Sequence, residues 1–180
     1  MGVTVVLAVY IIGYATGLFN HKSATPKSNQ VTSTAYVAKA DNFQIDFPGT
    51  PNISSIPASS SSSVTGGRVY DYSNENNAQE YVVSVTNFSS DISKLKTSDI
   101  KRVLQSDLNR EIQSNNFSLT GSQYVTFKGA QGLQAKFTSV SHPNANQIDF
   151  YHKDSDIVIA TFDTPYDSFE SFANSYKATN

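Results

Sequence analysis

Short runs of alternating apolar and polar residues lie in the first half of the chain and predict half-buried strands. The clearest run covers Phe43–Phe47, where Phe, Ile and Phe alternate with Gln and Asp, and the turn sequence at 48–51 ends it. Alternation of Tyr at 70–72, and of Tyr and Val at 81–85, predicts two further strands. A short element before them is expected over 35–40.

Apolar residues then recur at helical intervals, at Ile100, Val103, Leu104, Leu108 and Ile112. This spacing predicts an amphipathic helix, because residues three and four positions apart share one helix face. Thr97 or Ser98 is expected to cap the helix, and Asp99 lies in its first turn. The run Ser114-Asn115-Asn116 is expected to end it.

Period-two patterning returns in the second half of the chain and predicts four strands, around 125–127, 133–137, 148–152 and 157–162. The last of these is apolar on both faces, which indicates a central strand that is covered on both sides. A closing helix is expected from Tyr166 to Tyr176. Its apolar stripe consists of Phe169, Phe172, Ala173 and Tyr176.

The order of elements is therefore three strands, a helix, four strands and a helix. Short turns between neighbouring strands favour antiparallel pairing, and both amphipathic helices must bury their apolar stripes against the sheet. The predicted fold class is α+β, with an antiparallel sheet covered by helices and an apolar helix at the amino terminus.

The element order and a few local motifs form a recognisable combination. The motifs are Phe43-x-Ile45-x-Phe47-Pro48-Gly49-Thr50-Pro51, the Ser-rich loop at 58–64, the Gly129/Gly132 hairpin and the closing Phe169-x-x-Phe172 helix. Together they resemble the PsbP-like family over roughly Asn42 to Lys177. The resemblance implies an α/β/α sandwich related to the extrinsic subunit of the oxygen-evolving complex. It also implies a mostly non-catalytic accessory or binding module of the kind found among small bacterial envelope proteins. No functional motif of the family is matched, and nothing in the sequence implies a photosynthetic role.

The first 20 residues carry no charged side chain. Gly2–Phe19 is long enough to span roughly 27 Å as a helix, close to the thickness of a bilayer core. We expect a transmembrane anchor or signal segment over 1–20. Its membrane-anchoring residues are Val3, Val5, Val6, Leu7, Val9, Ile11, Ile12, Leu18 and Phe19.

Two interpretations of this segment stay open, an uncleaved anchor and a signal peptide cleaved near Ala15 or Gly17. Either interpretation places the domain outside the cytoplasm, membrane-anchored in the first case and secreted in the second. The positive-inside rule opposes this orientation, because Lys22 and Lys27 follow the run whereas no basic residue precedes it. We hypothesise that Met1 lies downstream of the true start.

The remainder divides into a flexible Ser/Thr-rich linker over 21–41 and a folded domain over 42–180. The linker shows no apolar period and cannot bury enough surface to fold. The Ser-rich stretch at 58–64 is expected to be a loop inside the domain, because strand patterns lie on both sides of it.

Composition excludes several function classes. The chain has 13 basic and 15 acidic residues and no Cys. A nucleic-acid partner is not expected, because a phosphate-binding surface needs clustered Lys and Arg. The lack of Cys excludes a disulfide framework, a thiolate metal site and a cysteine nucleophile.

Candidate catalytic and metal-binding patterns are weak. Ser93-x-x-Lys96 lacks its supporting motifs and is read as a solvated loop. His142 and His152, with Asp154 and Asp156, contain suitable metal ligands, but both aspartates are expected to serve the tight turn that they flank.

Three acidic residues near the closing helix, Asp163, Asp167 and Glu170, are of the type used for acid–base work. They are explained more simply by stabilisation of a helix amino terminus. We therefore predict no catalytic residue, no cofactor and no metal site.

Tyr70, Tyr72 and Tyr151 are expected to line an exposed contact face for a partner. The leading functional hypothesis is a membrane-tethered, extracytoplasmic, non-enzymatic accessory domain that binds an envelope protein or a small ligand. The alternatives are a small hydrolase with a cleft between helix and sheet, and a purely structural envelope protein.

Overall fold

The computed structural model describes residues 33–60, 63–74 and 78–179 of the chain. In chain order its elements are β1 (Thr34–Ala38), β2 (Phe43–Phe47), β3 (Asn52–Ile56), β4 (Val64–Asn74), β5 (Gln79–Phe88), a short 3-10 helix (Ile92–Lys94), α1 (Thr97–Asn115), β6 (Ser118–Phe127), β7 (Ala130–Thr138), β8 (Ala145–His152), β9 (Ser155–Phe162), α2 (Tyr166–Ser175) and β10 (Lys177–Ala178).

A large antiparallel sheet forms the centre of the domain. Its seven strands lie in the order β3-β4-β5-β9-β8-β7-β6, so β9 is the middle strand. Val, Ile, Ala and Phe side chains of β9 are buried along nearly its whole length. The prediction of a central strand covered on both sides is confirmed.

One face of the large sheet is covered by α1. Leu104 and Leu108 of this helix are fully buried against inward-facing residues of the sheet, among them Leu133, Val158 and Phe137. The helix begins at Thr97 after Lys96, and neither Thr97 nor Ser98 caps it with a side chain. It ends where Asn116 adopts a left-handed conformation, as the Ser-Asn-Asn sequence predicts.

The opposite face is covered by α2 and by a second, three-stranded sheet in the order β1-β2-β10. Phe43, Ile45 and Phe47 of β2 are completely buried in this layer, where they pack with Phe169 and Phe172 of α2. The result is an α+β fold in which an antiparallel sheet lies between two covering layers.

Two strands, β3 and β10, were not predicted, whereas β1 corresponds to the short element expected over 35–40. β1 pairs with β2 along its full length, although residues 34–38 lie in the span expected to be a flexible linker. The additional strands β3 and β10 are short and largely exposed. Strand pairing, rather than burial of a periodic face, fixes these segments.

The predicted anchor or signal segment at 1–20, and residues 21–32 of the predicted linker, lie outside the described residues. Within the part of the chain that the structure describes, none of the helices has the length and apolarity required to cross a membrane.

Candidate functional site

Four carboxyl groups meet between α1 and the large sheet. Asp107 and Glu111 are four positions apart on α1 and so lie on one helix face. Asp149 of β8 and Asp156 of β9 lie on the facing side of the sheet, diagonally across the two paired strands. We call these four residues the carboxyl cluster.

Hydrogen bonds connect the helix side of the carboxyl cluster to neighbouring polar side chains. The Tyr151 hydroxyl donates to Asp107 Oδ2 at 2.9 Å, and Gln147 Nε2 donates to Glu111 Oε2 at 2.7 Å. Arg110 Nη1 lies 3.3 Å from Asp107 Oδ1. Among the described residues this guanidinium is the one cation paired with the cluster, and it is partly exposed to solvent.

The sheet side of the carboxyl cluster is deeply buried and poorly hydrogen-bonded. Asp149 and Asp156 are only 3% and 1% exposed. Among the described residues, no amide, amine or hydroxyl group donates to either oxygen of Asp156 or to Asp149 Oδ1. The hydroxyl of Thr86 is also buried without a partner, and Thr86 stands directly opposite Asp156 in the β5–β9 register.

Burial disfavours the charged form of every member of the carboxyl cluster. It raises the pKa of Asp107 to about 6, against the opposing effects of the Tyr151 hydrogen bond and Arg110. It raises the pKa of Glu111 to about 7, where the Gln147 hydrogen bond opposes the shift. The pKa of Tyr151 rises as well, first through burial and then through the neighbouring carboxylates.

Asp149 and Asp156 titrate as a pair, because two carboxylates this close cannot both ionise at low cost. Burial raises the pKa of both residues. The charge of Asp156 raises the pKa of Asp149 further, whereas a hydrogen bond from Asp149 lowers that of Asp156. Asp149 therefore keeps its proton longest and donates it towards Asp156.

This arrangement determines which chemistry the cluster is suited to. A carboxyl pair that shares a proton can act as an acid and a base when a substrate reaches it, but here α1 covers the pair. Among the described residues, no three or more His, Asp or Glu side chains are grouped in a way that can hold a metal ion. The cluster as it stands is a set of proton-binding groups.

The tyrosine contact face expected from the sequence does not form. Tyr70 and Tyr151 are 1% and 2% exposed, and their hydroxyls bind Asp41 and Asp107. Only Tyr72 is partly exposed, with its ring against Tyr81. The reason is that both faces of the large sheet are covered, so alternate residues on its strands point into one core or the other.

The two domain histidines are far apart in the fold. His142 precedes β8 and His152 ends it. His142 Nδ1 lies 2.9 Å from Asp163 Oδ2, so it pairs with one of the carboxylates that we expected near the closing helix. Asp167 and Glu170 remain exposed on α2. Asp154 lies in the β8–β9 turn as expected, whereas Asp156 was wrongly assigned to that turn and is a buried residue of β9.

A shallow cleft of about 220 Å³ lies at one end of the domain, where the β8–β9 turn approaches the carboxyl end of the described chain. Ile157 and Tyr176 line its apolar part, and His152, Lys153 and Asp154 line its polar part. The members of the carboxyl cluster do not line this cleft.

The outer edge of the large sheet is a second accessible feature. β6 is the last strand in the order, and among the described residues no further strand pairs with its outer side. Its sequence, Ser-Leu-Thr-Gly-Ser-Gln-Tyr-Val-Thr-Phe, contains no charged residue and no Pro. Apart from a register shift between Leu119 and Gly121, the strand is regular and largely exposed.

Sequence reasoning missed both the carboxyl cluster and the β6 edge. One signal for the cluster was available, since Asp107 lies between Leu104 and Leu108 and therefore close to the apolar face of the predicted helix. The first six residues of β6 are all exposed, so they lack the apolar–polar alternation that would predict a strand.

Comparison with known proteins gives a fold but no family. The fold is similar to that of cyanobacterial PsbP (CyanoP) from Synechocystis sp. PCC 6803, with a TM-score of 0.53 and 11% sequence identity. The match covers 87% of this chain and 98% of that protein. The chain has a PsbP-like fold. No family model matches the sequence, and no curated protein matches it.

Proposed function

We propose that this protein is a membrane-tethered, extracytoplasmic and non-enzymatic accessory domain that binds a protein partner through the β6 edge. The observation that carries the proposal is the β6 strand, which ends the large sheet with ten uncharged residues and has no further strand on its outer side among the described residues. Its one irregularity lies between Leu119 and Gly121, so the pairing from Gly121 to Phe127 is regular. Natural sheets usually protect such an edge with Lys, Pro, a short strand or a covering element, because its free N–H and C=O groups can pair with another chain.

The opposite edge of the same sheet provides the contrast. β3 has only five residues and lies between Pro51 and Pro57, which lack an N–H to donate. β6 is twice as long and exposes Leu119 and Tyr124, each 40% accessible. An extended segment of a partner can add to β6 as an antiparallel strand, with main-chain hydrogen bonds for affinity and these side chains for specificity.

Two features support the non-enzymatic part of the proposal, and a third supports the membrane tether. The acidic side chains that converge most closely lie under α1 rather than in the cleft. The fold resembles that of cyanobacterial PsbP, and the PsbP-like family is expected to consist mostly of accessory modules. The uncharged run Gly2–Phe19 supports the membrane tether.

Site-specific photocrosslinking in intact cells tests the binding edge. A benzophenone amino acid replaces Ser122 on β6 or, as the matched control, Ser54 on β3, since both serines are exposed on edge strands. We expect repeated capture of the same partner protein at position 122 and not at position 54. Thr126→Lys, which puts a charge on the β6 edge, should lower the capture at 122 about tenfold, whereas Ser54→Lys should not.

Equal capture at both positions, or capture that survives Thr126→Lys, would contradict binding at the β6 edge. Capture of a second copy of this chain would show that the edge serves self-association. No capture at either position would favour the purely structural alternative.

A further inference from the structure

We propose that the carboxyl cluster is a proton-binding site that holds α1 against the sheet when it is protonated and loosens the helix when it loses its protons. This inference does not rest on the proposed partner binding. It rests on where Asp107, Glu111, Asp149 and Asp156 lie, on their burial and on the shortage of compensating charge.

The location of the cluster couples its charge to one interface. Asp107 and Glu111 belong to α1, whereas Asp149 and Asp156 belong to the sheet beneath it. Repulsion among ionised carboxylates therefore acts across the helix–sheet contact. In the protonated state the same groups are neutral, and Asp149 can donate a hydrogen bond to Asp156.

The surroundings offer little compensation for ionisation. From α1, Arg110 faces Asp107 and is itself partly exposed. From β8, the titratable neighbour is Tyr151, which donates to Asp107. From β5, Ser84 and Thr86 present only hydroxyl groups, both buried and without partners.

The remaining elements near the cluster add no nearby cation among the described residues. The 3-10 helix before α1 packs against β8, but its Lys94 is exposed and pairs with Asp91. β7 contributes Leu133 and Ala135 to this face. Glu80 of β5 is a separate buried carboxyl, influenced by Asp71 and Asp163 instead.

The direction of the pH effect follows from proton binding. When α1 leaves the sheet, the carboxyls reach water and their pKa values return towards the ordinary range near 4. The packed state binds more protons than the open state between about pH 4 and 7, so packing weakens as the pH rises through this window. Packing of α1 is therefore strongest at acidic pH and weakens as the pH rises through the pKa values of Asp107, Glu111 and Asp156, and ionisation of Asp149 extends the loosening to higher pH.

Hydrogen exchange measured by mass spectrometry on the full chain at pH 5 and pH 8 tests this inference. After correction for the intrinsic exchange rates, we expect the protection of α1 amides to fall at least about fiftyfold between the two pH values, the effect of one such carboxyl. Amides of α2, whose Asp167 and Glu170 are exposed, provide the internal reference. Amides of the central strand β9 report global unfolding.

Variants separate the cluster from other causes. Asp156→Asn with Glu111→Gln removes two of the titrating charges and should make the change in α1 protection at least about tenfold smaller than in the unmodified chain, while Asp107 and Asp149 account for the change that remains. Asp99→Asn is the matched control, because it makes the same kind of change at an exposed carboxylate in the first turn of α1. It should leave the pH-dependent change in α1 protection intact. Glu111→Gln alone, at a partly exposed position, gives an intermediate change if the double variant does not fold.

The inference is wrong if α1 and α2 lose protection in parallel between pH 5 and pH 8. It is equally wrong if the double variant, or Glu111→Gln alone, shows the same pH dependence as the unmodified chain.

Discussion

The side chain of Asp41 links the three-stranded sheet to the large sheet through hydrogen bonds. Its carboxylate, which is fully buried, lies in the turn between β1 and β2. It accepts hydrogen bonds from Arg68 Nη1 at 2.8 Å and from the Tyr70 hydroxyl, both on β4 of the large sheet. Burial, and then this hydrogen bond, raise the pKa of Tyr70, so its proton stays in place at any ordinary pH.

Removal of the Tyr70 hydroxyl should therefore destabilise the domain. Tyr70→Phe leaves a buried carboxylate with one donor fewer, and we expect the free energy of unfolding to fall by about 1–3 kcal/mol. Tyr72→Phe, two residues along β4 at a partly exposed position, should change it by less than about 0.5 kcal/mol. Urea unfolding of both variants measures the difference. Equal effects of the two substitutions would show that the Asp41 contact does not stabilise the fold.

Tyr70 also shows what a single residue in the sequence could not reveal. Its alternation with Tyr72 correctly predicts a strand. Alternation alone does not say whether the second face of that strand is exposed to solvent or covered by other elements. The covering layer comes from β1 and β2 near the start of the described residues and from α2 and β10 near their end. Burial of Tyr70 is thus a property of the tertiary fold.

At the scale of elements, those with one buried face could be predicted from the sequence, whereas exposed strands could not. β2 and α2 each have one buried face, and both were predicted from periodicity within a few residues. β3 is exposed at four of its five positions, so it shows no apolar alternation and was not predicted. β10, with two residues, exists because Lys177 and Ala178 pair with β2.

β4 and β5 approach each other closely at Gly67. A Cβ atom added at Gly67 would lie 2.1 Å from the carbonyl oxygen of Val85 and 3.0 Å from Thr86 Cα. Both atoms belong to the backbone, so the paired strands would have to separate. We expect Gly67→Ala to lower the free energy of unfolding by about 2 kcal/mol or more.

Gly121→Ala is the matched control, because a Cβ atom at Gly121 on β6 meets nothing within 4 Å. Its effect should lie within about 1 kcal/mol of zero, and a slight gain is expected from reduced freedom of the unfolded chain. Thermal or urea unfolding distinguishes the two changes. If Gly67→Ala is tolerated as well as Gly121→Ala, the close strand contact at Gly67 does not restrict the sheet.

At the scale of the whole molecule, the carboxyl cluster was the feature least accessible to sequence reasoning. Asp107 and Asp149 are separated by 42 positions and meet only because α1 packs across the face of the sheet formed by β6, β7 and β8. Each residue alone fits an unremarkable polar position at a helix face or in a strand. The core on the α1 side therefore combines apolar packing with buried acid groups, and the position of Asp107 close to the apolar helix face is the one sequence feature that indicates it.

The proposed membrane tether at the amino terminus is tested by cell fractionation. If residues 1–20 anchor the chain, it should remain in the membrane pellet after washing with high salt and carbonate. Val9→Lys with Ile12→Lys should release it, because each charge at the centre of a membrane-spanning segment costs about 2.5–3.5 kcal/mol. Val37→Lys, a charge at an exposed position of β1, should leave the chain in the pellet.

The side of the membrane is tested in the same cells. The chain contains no Cys, so Ser171→Cys on the exposed surface of α2 introduces a single thiol. A maleimide that cannot cross membranes should label this thiol without lysis if the domain is extracytoplasmic. Labelling that requires lysis would place the domain in the cytoplasm. Wild-type chain recovered in the soluble cytosolic fraction would exclude the tether, whereas soluble chain outside the cell would favour the cleaved signal peptide.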